Sequence, residues 1–403
     1  RDLIKGDFNN FGFEARILNK YELFNKKATF LLGSKYYKAD NTAQQGPGPD
    51  GTDSNFDFQL EAYPNYGNQS NYTYPNINIA VFGENILYVN DKLSITPGFR
   101  FEYIKTESKG FYKNINTDAA GNVILNETID NSEVRERSFV LLGLGIGYKP
   151  AAALEIYGNI SQNYRSVTFS DISIINPAFS ISPTITDEKG FTTDLGLRGN
   201  YKNIISYDVG VFGLFYKNRI GFVQQAFPDG SVKTVRGNVG DAVMYGLESL
   251  IDFNLNKLFI KDNDYSFNYF INTSIIDSKY TESEENGVEG KKVEFVPNLN
   301  FKTGLKFGYK NFLSNFQYTY LSQQFTDATN ALEGNLSGVI GEIPAYDVLD
   351  ISFSYTYKKF KLEAGINNVL DNYYFTRRAT GYPGPGIIPS ANRNLYMTLQ
   401  FKL

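Results

Sequence analysis

The sequence predicts an all-β chain folded as a transmembrane, antiparallel, up-and-down β-barrel. Three observations predict it: side chains alternate apolar and polar with period two, the alternating segments outrun ordinary globular strands, and short connections alternate with long ones. The end of the chain shows the first: Leu395, Met397, Leu399, Phe401 and Leu403 share one face, while Tyr396, Thr398, Gln400 and Lys402 share the other. Leu349, Ile351, Phe353, Tyr355 and Tyr357 alternate with Asp350, Ser352, Ser354 and Thr356 in the same way. Phe360, Leu362, Ala364 and Ile366 alternate with Lys361, Glu363, Gly365 and Asn367, and Leu93, Ile95, Phe99, Phe101 and Tyr103 oppose Ser94, Thr96, Gly98, Arg100 and Glu102. No stretch sustains a helical period.

Taken in order, about fifteen such segments run at 10–22, 28–40, 76–89, 92–107, 134–149, 153–165, 190–201, 204–224, 233–256, 264–280, 291–309, 312–326, 345–358, 360–377 and 391–403. Many exceed the roughly 5–6 residues of a globular strand and suit the roughly 9–11 of a tilted membrane strand. Short turns (Phe24–Lys27, Asn90–Asp91, Lys149–Ala152, Lys202–Asn203, Lys310–Asn311, Lys358–Lys359) alternate with loops near 41–75, 108–133, 166–189, 225–232, 281–290, 327–344 and 378–390, and 257–263 is intermediate. If the last strand runs towards the periplasm, every long loop faces outward, as in an outer-membrane barrel. A soluble sandwich has no reason to sort its connections this way. The 30 Tyr and 33 Phe supply interfacial girdles, and a polar lumen explains a hydrophobic content of only 42%. Single-chain bacterial barrels have an even strand number, so an odd count means either one strand more or fewer than fifteen or that residues 1–403 are the C-terminal portion of a larger barrel. The fragment reading is favoured, because the first segment, Phe11 to Glu22, already needs a strand partner before it.

Composition removes whole classes of chemistry. With no His and no Cys, the sequence holds no Ser-His-Asp or Cys-His pair, no His-ligated haem or zinc, and no disulfide. A net charge of −4 predicts no nucleic-acid partner. The most apolar stretch, Phe139 to Ile146, contains two glycines and falls far short of the roughly 20 apolar residues of a membrane helix. The run Gly143-Leu144-Gly145-Ile146-Gly147 lies on a strand with Leu142, Leu144, Ile146 and Tyr148 facing outward and no helix after it, so it is a glycine-lined inner wall and not a phosphate loop.

Several motifs carry a resemblance. Gly365-Ile366-Asn367-Asn368-Val369-Leu370-Asp371 with Tyr373-Tyr374, following Ala345–Asp350, is similar to the penultimate strand of TonB-dependent outer-membrane receptors. Arg393–Leu403 resembles their terminal strand, although many members end on an aromatic residue. Gly237-Asn238-Val239-Gly240 leading to Gly246-Leu247-Glu248, and Tyr157-Gly158-Asn159-Ile160-Ser161 with Tyr164-Arg165, resemble mid-barrel strands of that family. Within it, Gln45-Gly46-Pro47-Gly48 with Gly51-Thr52-Asp53, Ala80–Asn85, Thr96–Glu102 and Tyr374–Gly386 look most like ferric dicitrate-type receptors. The resemblance implies a barrel of about 22 strands around a plugged lumen, with the N-terminal plug and roughly seven strands absent from this chain. It also implies import of a ferric chelate across the outer membrane of a Gram-negative bacterium by a monomer, without catalysis. Iron would arrive inside its chelator, so no cofactor is expected. The partners implied are the chelate, membrane lipid and lipopolysaccharide, and the TonB complex through the plug.

The candidate ligand-binding residues follow from charge and parity. Ferric citrate and most siderophore complexes are anionic, and Arg offers a planar fork to carboxylate. Arg165 is in register with Glu155, Tyr157, Asn159, Ser161 and Asn163, which places it on the lumen side near the outer end; Arg at the lipid midplane would cost roughly 2–4 kcal/mol. Arg377 and Arg378 close the penultimate strand at the same level; these three arginines are expected to contact the anion, with Gln162 and Asn163 as neutral partners. The alternative for each Arg is an ion pair in the lumen or to lipopolysaccharide phosphate. Arg100, Glu102, Glu84 and Glu248 are expected to be structural contacts to the lumen or plug. Asp50, Asp53 and Asp57 lack the spacing of a calcium loop, and Glu282, Glu284, Glu285 and Glu289 are expected at a solvated loop tip. Tyr63, Tyr66, Tyr72, Tyr74, Phe169 and Tyr382 are the loop aromatics available for stacking on a ligand. Two other functions compete with import: a passive porin or surface-binding barrel without energy coupling, which a plug would exclude, and a soluble β-propeller, whose blade repeats are not found.

Overall fold

The computed structural model describes residues 2–51, 53–168, 179–226, 232–336, 338–379 and 386–402. In chain order the strands are β1 (Asp2–Leu23), β2 (Lys26–Pro47), β3 (Ser70–Tyr88), β4 (Leu93–Thr117), β5 (Val123–Asp130), β6 (Glu133–Ala151), β7 (Leu154–Arg165), β8 (Phe179–Ile181), β9 (Glu188–Tyr201), β10 (Ile205–Ala226) and β11 (Val232–Asn254). After a π-helical turn at Asn256–Ile260 come β12 (Tyr265–Glu282), β13 (Leu299–Tyr309), β14 (Phe312–Leu321), β15 (Gln324–Phe325), β16 (Glu342–Ile343), β17 (Tyr346–Tyr357), β18 (Phe360–Asn367), β19 (Phe375–Ala379), β20 (Gly386–Pro389) and β21 (Asn394–Phe401). Among the described residues, seventeen of these strands pair in extended β-sheet. Two of them are local additions: β5 pairs with the outer part of β4, and β8 lies parallel to β11. The remaining fifteen match the fifteen alternating segments in the sequence, one for one.

The chain divides into two compact units. The first takes in the chain up to Leu87 together with Thr96–Leu142, and the second holds Tyr88–Ile95, Gly143–Val167 and the strands from β8 to β21. In the first, β1 and β2 pair antiparallel from Asp2↔Pro47 to Leu23↔Lys26, and β3 continues alongside β2. In the second, the end of β6 pairs with β7, and antiparallel neighbours succeed one another in order through β9, β10, β11, β12, β13, β14, β17, β18 and β21. The short turns use the left-handed backbone that two-residue hairpins require: Phe24 and Asn25 have φ of 50° and 59°, and Lys202 and Asn203 both have 54°.

Both faces keep the predicted parity. On β6, Leu144 and Ile146 are each 48% exposed while Gly143, Gly145 and Gly147 lie on the other face; on β21, Leu395 and Met397 are each 75% exposed. Apolar side chains repeatedly displayed on the outer face of successive strands cannot be reconciled with water on that side, but they suit hydrocarbon.

The structure departs from the sequence expectation above the membrane strands. β4 runs on to Thr117, well past the expected end at 107, whereas β10 and β11 end and begin at Ala226 and Val232, within two residues of the expected bounds. The strand expected from 291 begins only at Leu299, because 283–298 folds back on the wall. The segment 360–377 breaks at Asn368 (φ 51°), and its end forms the separate hairpin β19–β20. Phe169 and Tyr382 lie outside the described residues.

Candidate functional site

The last residue pair of β7 and β9 is Arg165 with Glu188. Glu188 is 2% exposed, and its Oε1 accepts from the Arg165 guanidinium and from the Ile220 amide, each at 2.8 Å. Its other oxygen lies 4.0 Å from Arg219. One carboxylate therefore serves two arginines and a backbone amide, which is how a charge is kept stable away from water. Asn163 shares this face and donates to Thr192 Oγ1 at 3.2 Å, while its buried Oδ1 has no hydrogen-bond partner among the described residues. Gln162 lies on the opposite face of β7, that of Ile156 and Ile160, which are 39% and 50% exposed.

Arg377 and Arg378 leave the wall altogether. The Arg378 guanidinium donates to Gly338 O at 2.9 Å and to Glu342 O at 3.1 and 2.9 Å, with its carbon 5.3 Å from the Phe375 ring centroid. Its forked geometry thus pins the β19–β20 hairpin to the loop bearing β16. Arg377, the adjacent residue, is exposed and has no ion-pair partner among the described residues.

A second buried charge was missed by sequence reasoning. Glu294, on the folded-back segment 283–298, is 3% exposed and accepts from the Tyr280 hydroxyl at 2.6 Å. Burial raises its pKa above the usual glutamate value, and the Arg219 charge and the Tyr280 hydroxyl oppose that rise. Gly221 makes room for it: a Cβ there would sit 2.3 Å from Glu294 Oε1. Val288 and Val293 of the same segment pack with Ala242, Met244 and Tyr280 on the inner face of β11 and β12. The Tyr280 amide donates to Lys291 O and the Gly290 amide to Tyr280 O, each at 2.9 Å, which fixes the fold-back. Glu282, Glu284 and Glu289 remain exposed, as a solvated tip requires. No spacing motif marks Glu188, Arg219 or Glu294, since their partners come from distant strand ends; Val293 alone of the segment's packed valines carried a signal, and it resembled a strand.

Lower on the wall several charges are paired locally. In the first unit Arg100 bonds Glu102, which also accepts from Asn78, and the Arg100 guanidinium lies 5.1 Å from the Phe82 ring centroid. Glu84 shares that inner face and is exposed. In the second unit Glu155 meets Arg198 at 3.2 Å, Tyr157 donates to Asp208 at 2.8 Å, and Ser274 donates to Glu248 at 3.4 Å. A recess of about 810 Å³ beside them is lined by Asp194, Asp208 and Glu248, with no basic residue among its described lining. Such a lining repels an anion. The loop aromatics of the first unit are engaged internally: Tyr63 donates to Asp50 and Tyr66 to Asp2, each at 2.8 Å, and Tyr72 stacks on Tyr74 at 5.8 Å.

An antiparallel meander with a lipid-facing apolar side, a polar inner side and long outer loops defines the wall of an outer-membrane β-barrel. The family described as TonB dependent receptor-like, beta-barrel matches residues 2–369. The chain belongs to that family, a family of transporters and receptors in the outer membranes of Gram-negative bacteria. Among solved structures it resembles the ferric citrate transporter FecA in its unliganded form (TM-score 0.75, 18% identity), covering 99% of this chain and 55% of that one. It also resembles the ferric yersiniabactin uptake receptor FyuA from Yersinia pestis (TM-score 0.70, 16% identity, 99% and 54% covered). A third is the copper transporter OprC (TM-score 0.70, 14% identity, 99% and 57% covered). The chain thus spans about half the length of these proteins.

Proposed function

We propose that this chain forms the wall, mouth and outer loops of a TonB-dependent importer of a ferric chelate, with iron(III) dicitrate the first ligand to test. The supporting observation is the placement of guanidinium groups at outer strand ends and outer loops, above a recess whose described lining is acidic and carries no basic residue. The Arg165 side chain is 38% exposed at its strand end and Arg377 is exposed, so a carboxylate-bearing chelate can reach forked donors with Asn163 as a neutral neighbour. Capture, loop closure and displacement of an N-terminal plug driven through TonB complete the mechanism; it makes and breaks no covalent bond. Iron is cargo within its chelator.

The test is quenching of intrinsic Tyr fluorescence in the full-length parent protein, titrated with ferric dicitrate and with iron-free citrate. Saturable quenching by the iron complex alone, weakened by Arg165→Ala and Arg377→Ala in a folded barrel, is the expected result. Binding unchanged in both variants refutes the site. No response in folded protein refutes dicitrate as ligand.

A further inference from the structure

We propose that the connection between β11 and β12 is a membrane-interface anchor: Leu258, Phe259 and Ile260 enter the headgroup region of the leaflet at the short-turn end, and Lys257 and Lys261 meet phospholipid phosphates. The proposal rests on the outer-membrane assignment. Neighbouring strands at this end are joined by tight turns at 202–204, 310–311 and 358–359, whereas 255–264 is far longer. It closes as a π-helical turn, with the Lys261 amide donating to Asn256 O at 2.8 Å and Lys261 in the left-handed conformation (φ 59°). Asn254 Oδ1 caps the Lys257 amide at 3.1 Å, and Asn256 Nδ2 donates to Asp262 O at 3.0 Å. These bonds satisfy backbone groups within the turn, which a segment leaving water requires.

Its side chains face the other way. No residue of the turn is buried, and Leu258, Phe259 and Ile260 are 42%, 74% and 36% exposed. Three consecutive exposed apolar residues bracketed by lysines have the composition of an interfacial segment. The neighbouring turns fix the level. Tyr201, Tyr309 and Tyr357 close their strands exposed, and the lysine after each lies over the ring, at 5.1, 5.2 and 5.4 Å for Lys202, Lys310 and Lys358. Tyrosines occupy the headgroup boundary, so these lysines stand where phosphates are. Of the two acidic residues within 255–264, Asp264 is approached by Lys310 at 3.7 Å and Asp262 Oδ1 accepts from the Asp264 amide at 2.9 Å, and Lys257 and Lys261 make no ion pair among the described residues.

The test is a Phe259→Trp variant of the full-length protein, reconstituted into phosphatidylethanolamine vesicles with and without phosphatidylglycerol and read against the unsubstituted protein. The expected result is blue-shifted Trp emission, quenched by lipids carrying a doxyl group near the headgroup and shielded severalfold from aqueous acrylamide. Phosphatidylglycerol should deepen the quenching, and Lys257→Gln with Lys261→Gln should remove that increment. Trp emission open to acrylamide and untouched by doxyl lipid in every composition overturns the proposal and leaves the turn to a protein partner. Lipid quenching without any dependence on phosphatidylglycerol overturns the lysine contacts. A Leu144→Trp control on the lipid face separates the two levels: if it too escapes lipid quenching, the outer-membrane assignment fails with the anchor.

Discussion

Replacing Glu188 by Ala is the sharpest perturbation of the mouth. It removes a carboxylate that is 2% exposed and accepts at 2.8 Å from both Arg165 and the Ile220 amide. It also takes that carboxylate from Arg165 and Arg219, whose side chains are 38% and 20% exposed. Breaking a buried ion pair from one side costs roughly 3–5 kcal/mol. Arg165 is exposed enough for water to take over its charge, so the expected loss sits at the low end, about 3 kcal/mol. The opening is local to the outer ends of β7, β9 and β10, so hydrogen exchange reads it directly. At about 1.4 kcal/mol per tenfold, the Ile220 amide should exchange about a hundredfold faster in the Ala variant. Glu188→Gln keeps an acceptor for that amide and should lose less protection, while releasing Arg165 from its charged partner Glu188. Affinity for ferric dicitrate should therefore rise. Unchanged Ile220 protection in Glu188→Ala would refute the reasoning, because the carboxylate would then not be holding the strand ends.

Gly221→Ala places a Cβ 2.3 Å from Glu294 Oε1 and 2.9 Å from a Val239 methyl, so the fold-back should loosen by about 1–3 kcal/mol. Limited proteolysis within 283–298 checks it; an unchanged cleavage rate contradicts the packing. The raised pKa of Glu294 gives the same segment a pH dependence. A group that binds its proton more tightly when folded contributes stability that is present below the unfolded value and lost as pH rises through the folded one. Opening of 283–298, measured by exchange at Val293 and corrected for intrinsic rates, should grow as pH rises above the ordinary glutamate range, and Glu294→Gln should flatten the profile. Leu144→Lys, on the lipid face, should destabilise the barrel by roughly 2–4 kcal/mol if Leu144 lies at the bilayer midplane, read as a shifted denaturant midpoint in vesicles.

How much of the fold was legible depended on where the bilayer imposes its rule. Between a lipid face and a polar lumen every second side chain must change character, so Leu395 to Phe401 or Leu142 to Tyr148 declare their strands without help from any partner. Above that level the rule lapses. β10 and β11 continue to Ala226 and from Val232 on pairing bonds alone, with a bulge after Tyr216, and nothing in their sequence marks where hydrocarbon ends. Val293 and Val296 were read as part of a strand because burial under a fold-back selects the same residues as a strand, and Val288 fell in the expected loop. The parity that placed Arg165 and Asn163 inside also placed Gln162 outside with Ile160, and that part of the site was readable from the sequence. Glu188 was not: the connection after Arg165 hides the register that makes them neighbours.

The buried charges also bear on which arginines can meet a ligand. Arg378 spends its donors on the carbonyls of Gly338 and Glu342, so its loss would release a hairpin before it weakened any anion contact. Arg219 lies 4.0 Å from Glu188, with its side chain 20% exposed and within the field of the buried Glu294. Arg165 is tied to Glu188 yet partly exposed, and Arg377 is exposed beside the pinned Arg378. Substituting the two residues of the Arg377–Arg378 dipeptide should therefore separate cleanly. Arg377→Ala should change ligand affinity and its salt dependence while leaving loop protection intact, since an exposed charge acts mainly on the encounter with an anion. Arg378→Ala should change protease sensitivity around 338–342 and 375–379 first, with affinity following only as the hairpin is lost. Equal effects of both on affinity, with no change in proteolysis, would mean that the carbonyl contacts of Arg378 do not hold the hairpin in solution. Both guanidinium groups would then have to be assigned to the ligand.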